Sequence, residues 1–314
     1  MRRVTIIMYH YVRELEHSRY PGIKGRSIDT FRFQLDHIAR HFSPVSMAQV
    51  VHAARTGDDL PPNAALLTFD DGYIDHYTVA FPMLAERGMP AAFFPPVGPA
   101  VRRELLDVNR VHFVLASADV QTLGREVDEA VDAHRDEYDL QKPSEYRSKW
   151  AKTFVFDDPE TIYVKRMLQV ALPEELRGRI ARDLFARHVG VSEEAFAREL
   201  YCSVDQLRHM QKNGMYVGSH GDSHYWLNSV DEETQRREIE GSLAFLREIG
   251  SPVDDFWVMC YPYGGWNEGL LGVLEQFDCA LGLLALADEG EAADLDRHHR
   301  YLLPRFDTNQ IPFE

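Results

Sequence analysis

Two short polar runs carry most of the chemistry-bearing side chains. Thr68-Phe69-Asp70-Asp71-Gly72-Tyr73 places two adjacent carboxylates at the end of an apolar run, and Ser219-His220-Gly221-Asp222-Ser223-His224 places two imidazoles four residues apart. Buried carboxylates without partners are strongly disfavoured. Either a turn opening at Gly72 lets Asp70 and Asp71 converge on a common partner, or Asp71 caps a helix starting near Ile74. Histidines four apart reach one point in space, from a helical face or from a strand end entering a turn. The run is not the HExxH helix of metalloproteases, because no Glu follows His220 and Gly221 is a poor helix residue. The chain has 14 histidines, so such a spacing also arises by chance. Taken together, one carboxylate and two imidazoles make a three-ligand site with open positions, suited to zinc and also to non-haem iron. The remaining carboxylate would lie beside the attacking water as a proton acceptor.

The elements that must position these residues alternate along the chain. Apolar, β-rich runs are predicted as strands at 4–9, 64–69, 91–94, 215–218, 256–260 and 280–284. Continuous apolar runs of this length fit strands buried on both faces, as in a parallel sheet. Between them, helices are predicted at about 30–41, 46–55, 74–87, 203–213, 231–248 and 267–276. The longest is expected to open on a capping box at Ser229-Val-Asp-Glu232. The repeated βα order makes the class α/β, with both polar runs at strand ends, where such folds build sites. From about 101 to 200 the pattern is helical and charged. That stretch is expected to be an insertion into a single domain spanning 1–314, either a lid or interaction surface or a helical layer on the barrel's flank.

Composition narrows the function. The 314 residues carry 34 Lys and Arg against 50 Asp and Glu, a net charge of −16, which disfavours nucleic acid and anionic membrane surfaces as partners. Three cysteines without a CxxC pair argue against a disulfide framework or a thiolate zinc site. No apolar stretch is long enough to predict a membrane span. The N-terminal apolar run is broken after Met8 by Tyr9-His10-Tyr11 and Arg13 and lacks a small-residue cleavage site, so the expected location is cytoplasmic.

Asp70-Asp71 within TFDDGY, His220 and His224 within SHGDSH, and Pro262-Tyr263-Gly264 within CYPYGGW resemble the polysaccharide deacetylases of carbohydrate esterase family 4, the NodB-homology domain. The resemblance covers about residues 4–307, with the helical stretch as an insertion. It implies a distorted (β/α) barrel, commonly of seven strands. It also implies a divalent metal ion, zinc first with cobalt, nickel or iron as alternatives, held by Asp71, His220 and His224. Asp70 would be the general base, and the backbone N–H of Tyr263 would face the oxyanion.

The chain departs from the family pattern at three places. The usual Ser or Thr after the first metal histidine is Gly221. The Arg often found two positions before PYG is Cys260, and Arg305 is the expected substitute, since a guanidinium holds a carboxylate bidentately. The alternative for Arg305 is a surface pair with Asp307. The C-terminal Leu-x-His that usually supplies the general acid is absent, His298 and His299 lying in an acidic stretch. Tyr9-His10 instead resembles the strand-end Tyr-His of a branch that includes the biofilm poly-N-acetylglucosamine deacetylases, which makes His10 the expected acid.

The expected activity is hydrolysis of an N-acyl group, acetyl first, from an amino sugar that is nucleotide-linked, lipid-linked or oligomeric, in a surface polysaccharide pathway. Two alternatives remain: a metal amidohydrolase acting on a non-sugar amide or formamide, and a non-catalytic carbohydrate-binding relative. Sugar-contacting aromatics would favour the sugar, with Trp226 and Trp266 as candidates.

Overall fold

A computed structural model describes residues 2–153, 157–285 and 292–311. The chain gathers into two compact units, one from Met1–Glu14, Gly25–Glu104 and Ala197–Glu314, the other from Leu15–Lys24 and Leu105–Phe196.

The strands of the first unit are β1 (Arg3–Tyr9), β2 (Ser43–Pro44), β3 (Ala64–Asp70), β4 (Ala91–Phe94), β5 (Tyr216–Val217), β6 (Val258–Cys260), β7 (Leu281–Leu283), β8 (Ala293–Asp294) and β9 (Phe306–Asp307). β1, β3, β4 and β5 pair in parallel, as do β6 and β7, and β9 with β1. Two single parallel bridges, Ser219 to Met259 and Leu283 to Leu303, join these sets. Among the described residues the result is a closed ring of seven parallel strands, a distorted (β/α) barrel. β2 adds to the start of β3, and β8 runs antiparallel against the start of β1.

Strand alternation sorts the side chains. Val4, Ile6, Leu66, Ala92, Phe94, Tyr216, Val258, Leu281 and Leu303, drawn from all round the ring, form one cluster inside the barrel. Their neighbours Ile7, Ala65, Leu67, Phe69 and Phe93 pack outward with Phe31, Leu35, Ile38 and Leu84 of the flanking helices. Period-two alternation therefore carries Asp70, two residues after Thr68 and four after Leu66, and Arg305, two after Leu303, to the inward face at the C-terminal rim.

The two-sided burial of the strands is what made them legible, since every residue of β3 is buried. Two helices and three short strands differ from the sequence pattern. The helix predicted over 74–87 contains a π-helical turn, His76–Ala80, before the α-helix Phe81–Glu86. The helix Glu232–Ile249 is capped by Asp231, which accepts from Thr234 N–H, and not by Ser229. Ser229 belongs to a 3-10 turn and gives its hydroxyl to the Trp226 carbonyl, so it is spent before the helix begins. The two-residue strands β2, β8 and β9 carry too little pattern to be read, and Pro304 interrupts the approach to β9.

The second unit is helical, with helices at Asp107–Ser117, Val120–Tyr138, Pro143–Trp150, Pro159–Arg166 and Glu174–His188. Arg147 ties two of them together, bonding Asp128 and both carboxylate oxygens of Glu160.

Candidate active site

Asp70 ends β3 with its carboxylate buried inside the barrel rim. Arg305, 0% exposed, grips it with a bidentate fork: Nη1 to Oδ1 at 2.9 Å and Nη2 to Oδ2 at 2.7 Å. The guanidinium is itself aimed by the Leu284 carbonyl and Thr68 Oγ1. Arg305 is thus placed against Asp70 and not on the surface, and Asp307 instead caps the turn Thr308–Gln310. Burial by itself would raise the Asp70 pKa, but Arg305 outweighs it and holds the carboxyl down at about 2. Asp70 stays ionised at any working pH. Cys260, where the motif arginine usually stands, lies on the same inward face and places its thiol 3.4 Å from Asp70 Oδ1.

A regular strand would send Asp71 outward. Its φ of 70°, followed by φ 66° at Gly72, turns the chain back so that its carboxylate joins the rim. A side chain at Gly72 would also meet the Pro95 ring at 2.7 Å. Asp71 Oδ2 accepts from Tyr73 O–H at 2.6 Å, and Oδ1 lies 3.4 Å from His220 Nε2 and 3.2 Å from His224 Nε2. It caps no helix. His224 also has a left-handed backbone, φ 60°. Such conformations cost about 1–3 kcal/mol each and concentrate where a site demands them.

The donor set fits a divalent cation. Oxygen and nitrogen ligands of a tetrahedral site with bonds of about 2.1 Å stand about 3.4 Å apart, which matches the 3.2 and 3.4 Å separations here. All three residues are buried, and their ligand atoms lie within 4.8 Å of one another. His220 Nδ1 gives its proton to the Cys260 carbonyl at 2.7 Å, which aims Nε2 at Asp71; burial lowers the pKa of this ring, but Cys260 and Asp71 overcome it and raise it well above its ordinary value. Burial raises the Asp71 pKa, yet the two imidazoles overcome it and hold the carboxyl well below its ordinary value. Burial lowers the pKa of His224. A second grouping, Asp70 with His220 and Cys260, also lies within reach of one point. Arg305 already occupies both Asp70 oxygens there, and its charge opposes a cation.

His10 follows β1 at the same rim. Its imidazole is 41% exposed, with Nε2 3.9 Å from Asp70 Oδ2. Tyr263 sits in the 3-10 turn Pro262–Gly264 with φ 57°; its ring meets His224 edge-on at 4.7 Å and stacks flat on Trp226 at 4.6 Å. Trp226 therefore borders the site, whereas Trp266 packs against the barrel's outer core. His298 lies elsewhere: it accepts from Asp294 N–H, and Asp294 pairs with Arg3 at the opposite end of β1, roughly 20 Å of strand away. His299, the next residue, accepts from Tyr301 N–H.

Sequence reading missed three supporting residues. Glu238, on the helix Glu232–Ile249, accepts from Asp222 and Ser223 N–H at 2.9 and 2.8 Å and shapes the loop between the two histidines. In that loop Gly221 has φ 75°, so the missing Ser or Thr is replaced by backbone held from a distant helix. Asp75 and His76 hold the chain around His10. Their only sequence signal is that they follow TFDDGY within one helical turn.

Comparison with known proteins gives the family and the fold. A family model described as polysaccharide deacetylase matches residues 57–131 and 185–281, together more than half of the chain. The poly-beta-1,6-N-acetyl-D-glucosamine N-deacetylase of Escherichia coli (strain K12) is 48% identical over 54 residues, a match covering 17% of this chain and 8% of that protein's length. Among solved structures, Streptococcus pyogenes deacetylase PplD in complex with acetate aligns with TM-score 0.59 at 16% identity, over 97% of this chain and 92% of that one. IcaB from Ammonifex degensii aligns with TM-score 0.57 at 18% identity, over 96% and 90%. At these identities the structural likeness is one of fold.

Proposed function

This chain belongs to the polysaccharide deacetylase family, and from that premise we propose that it hydrolyses the N-acetyl group of an amino sugar within an oligomeric, lipid-linked or nucleotide-linked surface-polysaccharide substrate. The observation that carries the reading is the convergence of Asp71, His220 and His224 on one buried point, with Asp70 clamped beside it. The name of the Escherichia coli relative supports an N-acetylglucosamine unit. Trp226, stacked on Tyr263 at the rim, supports a sugar over a small amide, because a flat aromatic face suits a pyranose ring.

Asp71, His220 and His224 would hold the divalent ion, zinc first. When bound, the ion supplies Lewis acidity, polarising the acyl carbonyl and acidifying water. Asp70 takes the proton of the attacking water. Arg305 keeps that carboxylate ionised and fixed in plane, so its free lone pairs face the opening. The backbone N–H of Tyr263 donates to the oxygen that becomes negative. His10 gives a proton to the amide nitrogen as the C–N bond breaks, releasing acetate and a free amine. Acids and bases are thus divided between two environments, a buried arginine-clamped carboxylate and a half-exposed imidazole.

Acetate release from a panel of nucleotide-linked, lipid-linked and polymeric N-acetylated amino sugars tests the function. Activity should vanish on chelation, return with zinc, cobalt or nickel, and be lost in Asp70→Asn while bound metal persists. Turnover by Asp70→Asn at the wild-type rate with metal bound would remove the mechanism. Among the described residues no helix is long and apolar enough to cross a membrane.

A further inference from the structure

The helix that follows the aspartate pair also reaches the chain that carries His10. His76, fully buried, gives its Nε2 proton to the His10 carbonyl at 2.8 Å. Asp75, also buried, accepts from Val12 N–H at 3.0 Å and from the Arg13 guanidinium through Nε and Nη2. Two consecutive residues thus hold the backbone of residues 10–13 from one side. On the other, Arg26 N–H bonds the Tyr11 carbonyl, and Tyr11 stacks on Tyr73 at 4.1 Å. The histidine side chain is 41% exposed, so its ring is steered by this backbone anchoring and not by packing.

Two features of His76 are unfavourable for folding alone. Its ring sits in an aromatic box of Phe69, Tyr73 and Phe93, with centroids 5.4, 5.5 and 5.8 Å away. Among the described residues its buried Nδ1 has no hydrogen-bond partner, and an orphaned polar atom carries a desolvation cost that a phenyl ring would avoid. It also begins the π-helical turn, in which Phe81 N–H bonds the His76 carbonyl five residues back. Single π-turns within helices are frequent at functional sites, and this chain has two others, Gly98–Arg102 and Met167–Ala171.

We propose that His76 is a positioning residue for the general acid, its Nε2–H fixing the His10 backbone so that the half-exposed imidazole faces the leaving nitrogen. The proposal rests on the reading of His10 as that acid. It explains why a polar ring occupies an aromatic box: the ring is retained for its bond to the His10 carbonyl. Asp75 fixes the following peptide, so the two act on adjacent segments of one loop.

The test compares an amide with an activated aryl acetate, whose leaving group needs no proton. In the full-length, zinc-loaded enzyme, His76→Phe keeps the shape and removes the donor, and His76→Gln keeps an N–H near the position of Nε2. His76→Phe should retain wild-type zinc content and substrate KM while losing roughly tenfold or more in amide kcat, as small misplacements of catalytic groups do. Ester kcat should fall much less, and His76→Gln should recover most of the amide rate. A His10→Ala, His76→Phe double variant should be no slower on the amide than His10→Ala alone. If His76→Phe does not fold, His76→Leu replaces it in the same comparison. Equal losses on amide and ester, or additive losses in the double variant, overturn the positioning role. Wild-type amide turnover by His76→Phe, with His10→Ala slow, also overturns it and leaves His10 standing as the acid. Wild-type amide turnover by His10→Ala overturns the reading of His10 and this proposal together.

Discussion

Replacing Arg305 by Met keeps much of the buried volume and deletes the fork on Asp70. Both partners are essentially without solvent, at 0% and 2% exposure. Burial pushes the Asp70 carboxyl up, but Arg305 wins and holds it at about 2 against an ordinary 3.8. With each tenfold in acidity near 1.4 kcal/mol, that difference corresponds to about 2 kcal/mol of native-state stabilisation. The loss on substitution is larger, about 3–5 kcal/mol at pH 7, because an uncompensated carboxylate is left in the barrel. A folded-state pKa below the unfolded value contributes stability that is complete above about pH 4 and disappears as pH falls towards 2. In Arg305→Met, burial is left opposed by the pull of His220 and His10 alone, so the Asp70 pKa rises and lowering the pH relieves the variant by protonating it. The stability gap between wild type and variant should therefore narrow steadily from pH 7 to pH 3, a difference in which groups common to both proteins cancel. Urea unfolding at a series of pH values measures it. The acid limb of kcat/KM should also move to higher pH in the variant, since Asp70 then loses its ionised form within the assayable range. A gap below about 1 kcal/mol at pH 7, or one that does not change with pH, would refute the clamp as the source of the depressed carboxyl.

Other substitutions probe the rest of the site. Asp71→Asn should weaken zinc binding by at least about a hundredfold in equilibrium dialysis while leaving the fold intact, since it weakens one of three ligands that are otherwise held in place. Glu238→Ala removes the acceptor of the part-buried N–H groups of Asp222 and Ser223, at about 1 kcal/mol for each bond lost. Zinc affinity should fall about tenfold with it, by the same dialysis. Gly72→Ala forces a Cβ within 2.7 Å of the Pro95 ring at φ 66°. Its melting temperature should drop by several degrees, and a drop of less than one degree would contradict the tight turn that brings Asp71 to the rim.

The sequence alone determined the strands with two-sided burial and the helices between them, because burial on both faces writes an uninterrupted apolar run such as Ala64–Phe69. It also determined which residues could bind a metal, since spacing within TFDDGY and SHGDSH is local information. Motif resemblance extended this to the barrel and pointed to Arg305. What only the tertiary structure decided is which of these residues meet. Arg305 and Asp70 are 235 positions apart, and nothing local distinguishes an arginine that enters the barrel from one paired with Asp307 on the surface. Closure of the seven-strand ring settles it by putting β9 beside β1, and the inward alternation of Leu303 and Arg305 then carries the guanidinium to the rim. The same closure leaves His298 at the far end of β1 and brings His10 to the near end. Glu238 and His76 stayed hidden because their partners are backbone groups, Asp222 and Ser223 N–H and the His10 carbonyl. Every residue type offers those groups, so they leave no trace in composition or spacing, and only the packing of one element against another selects them.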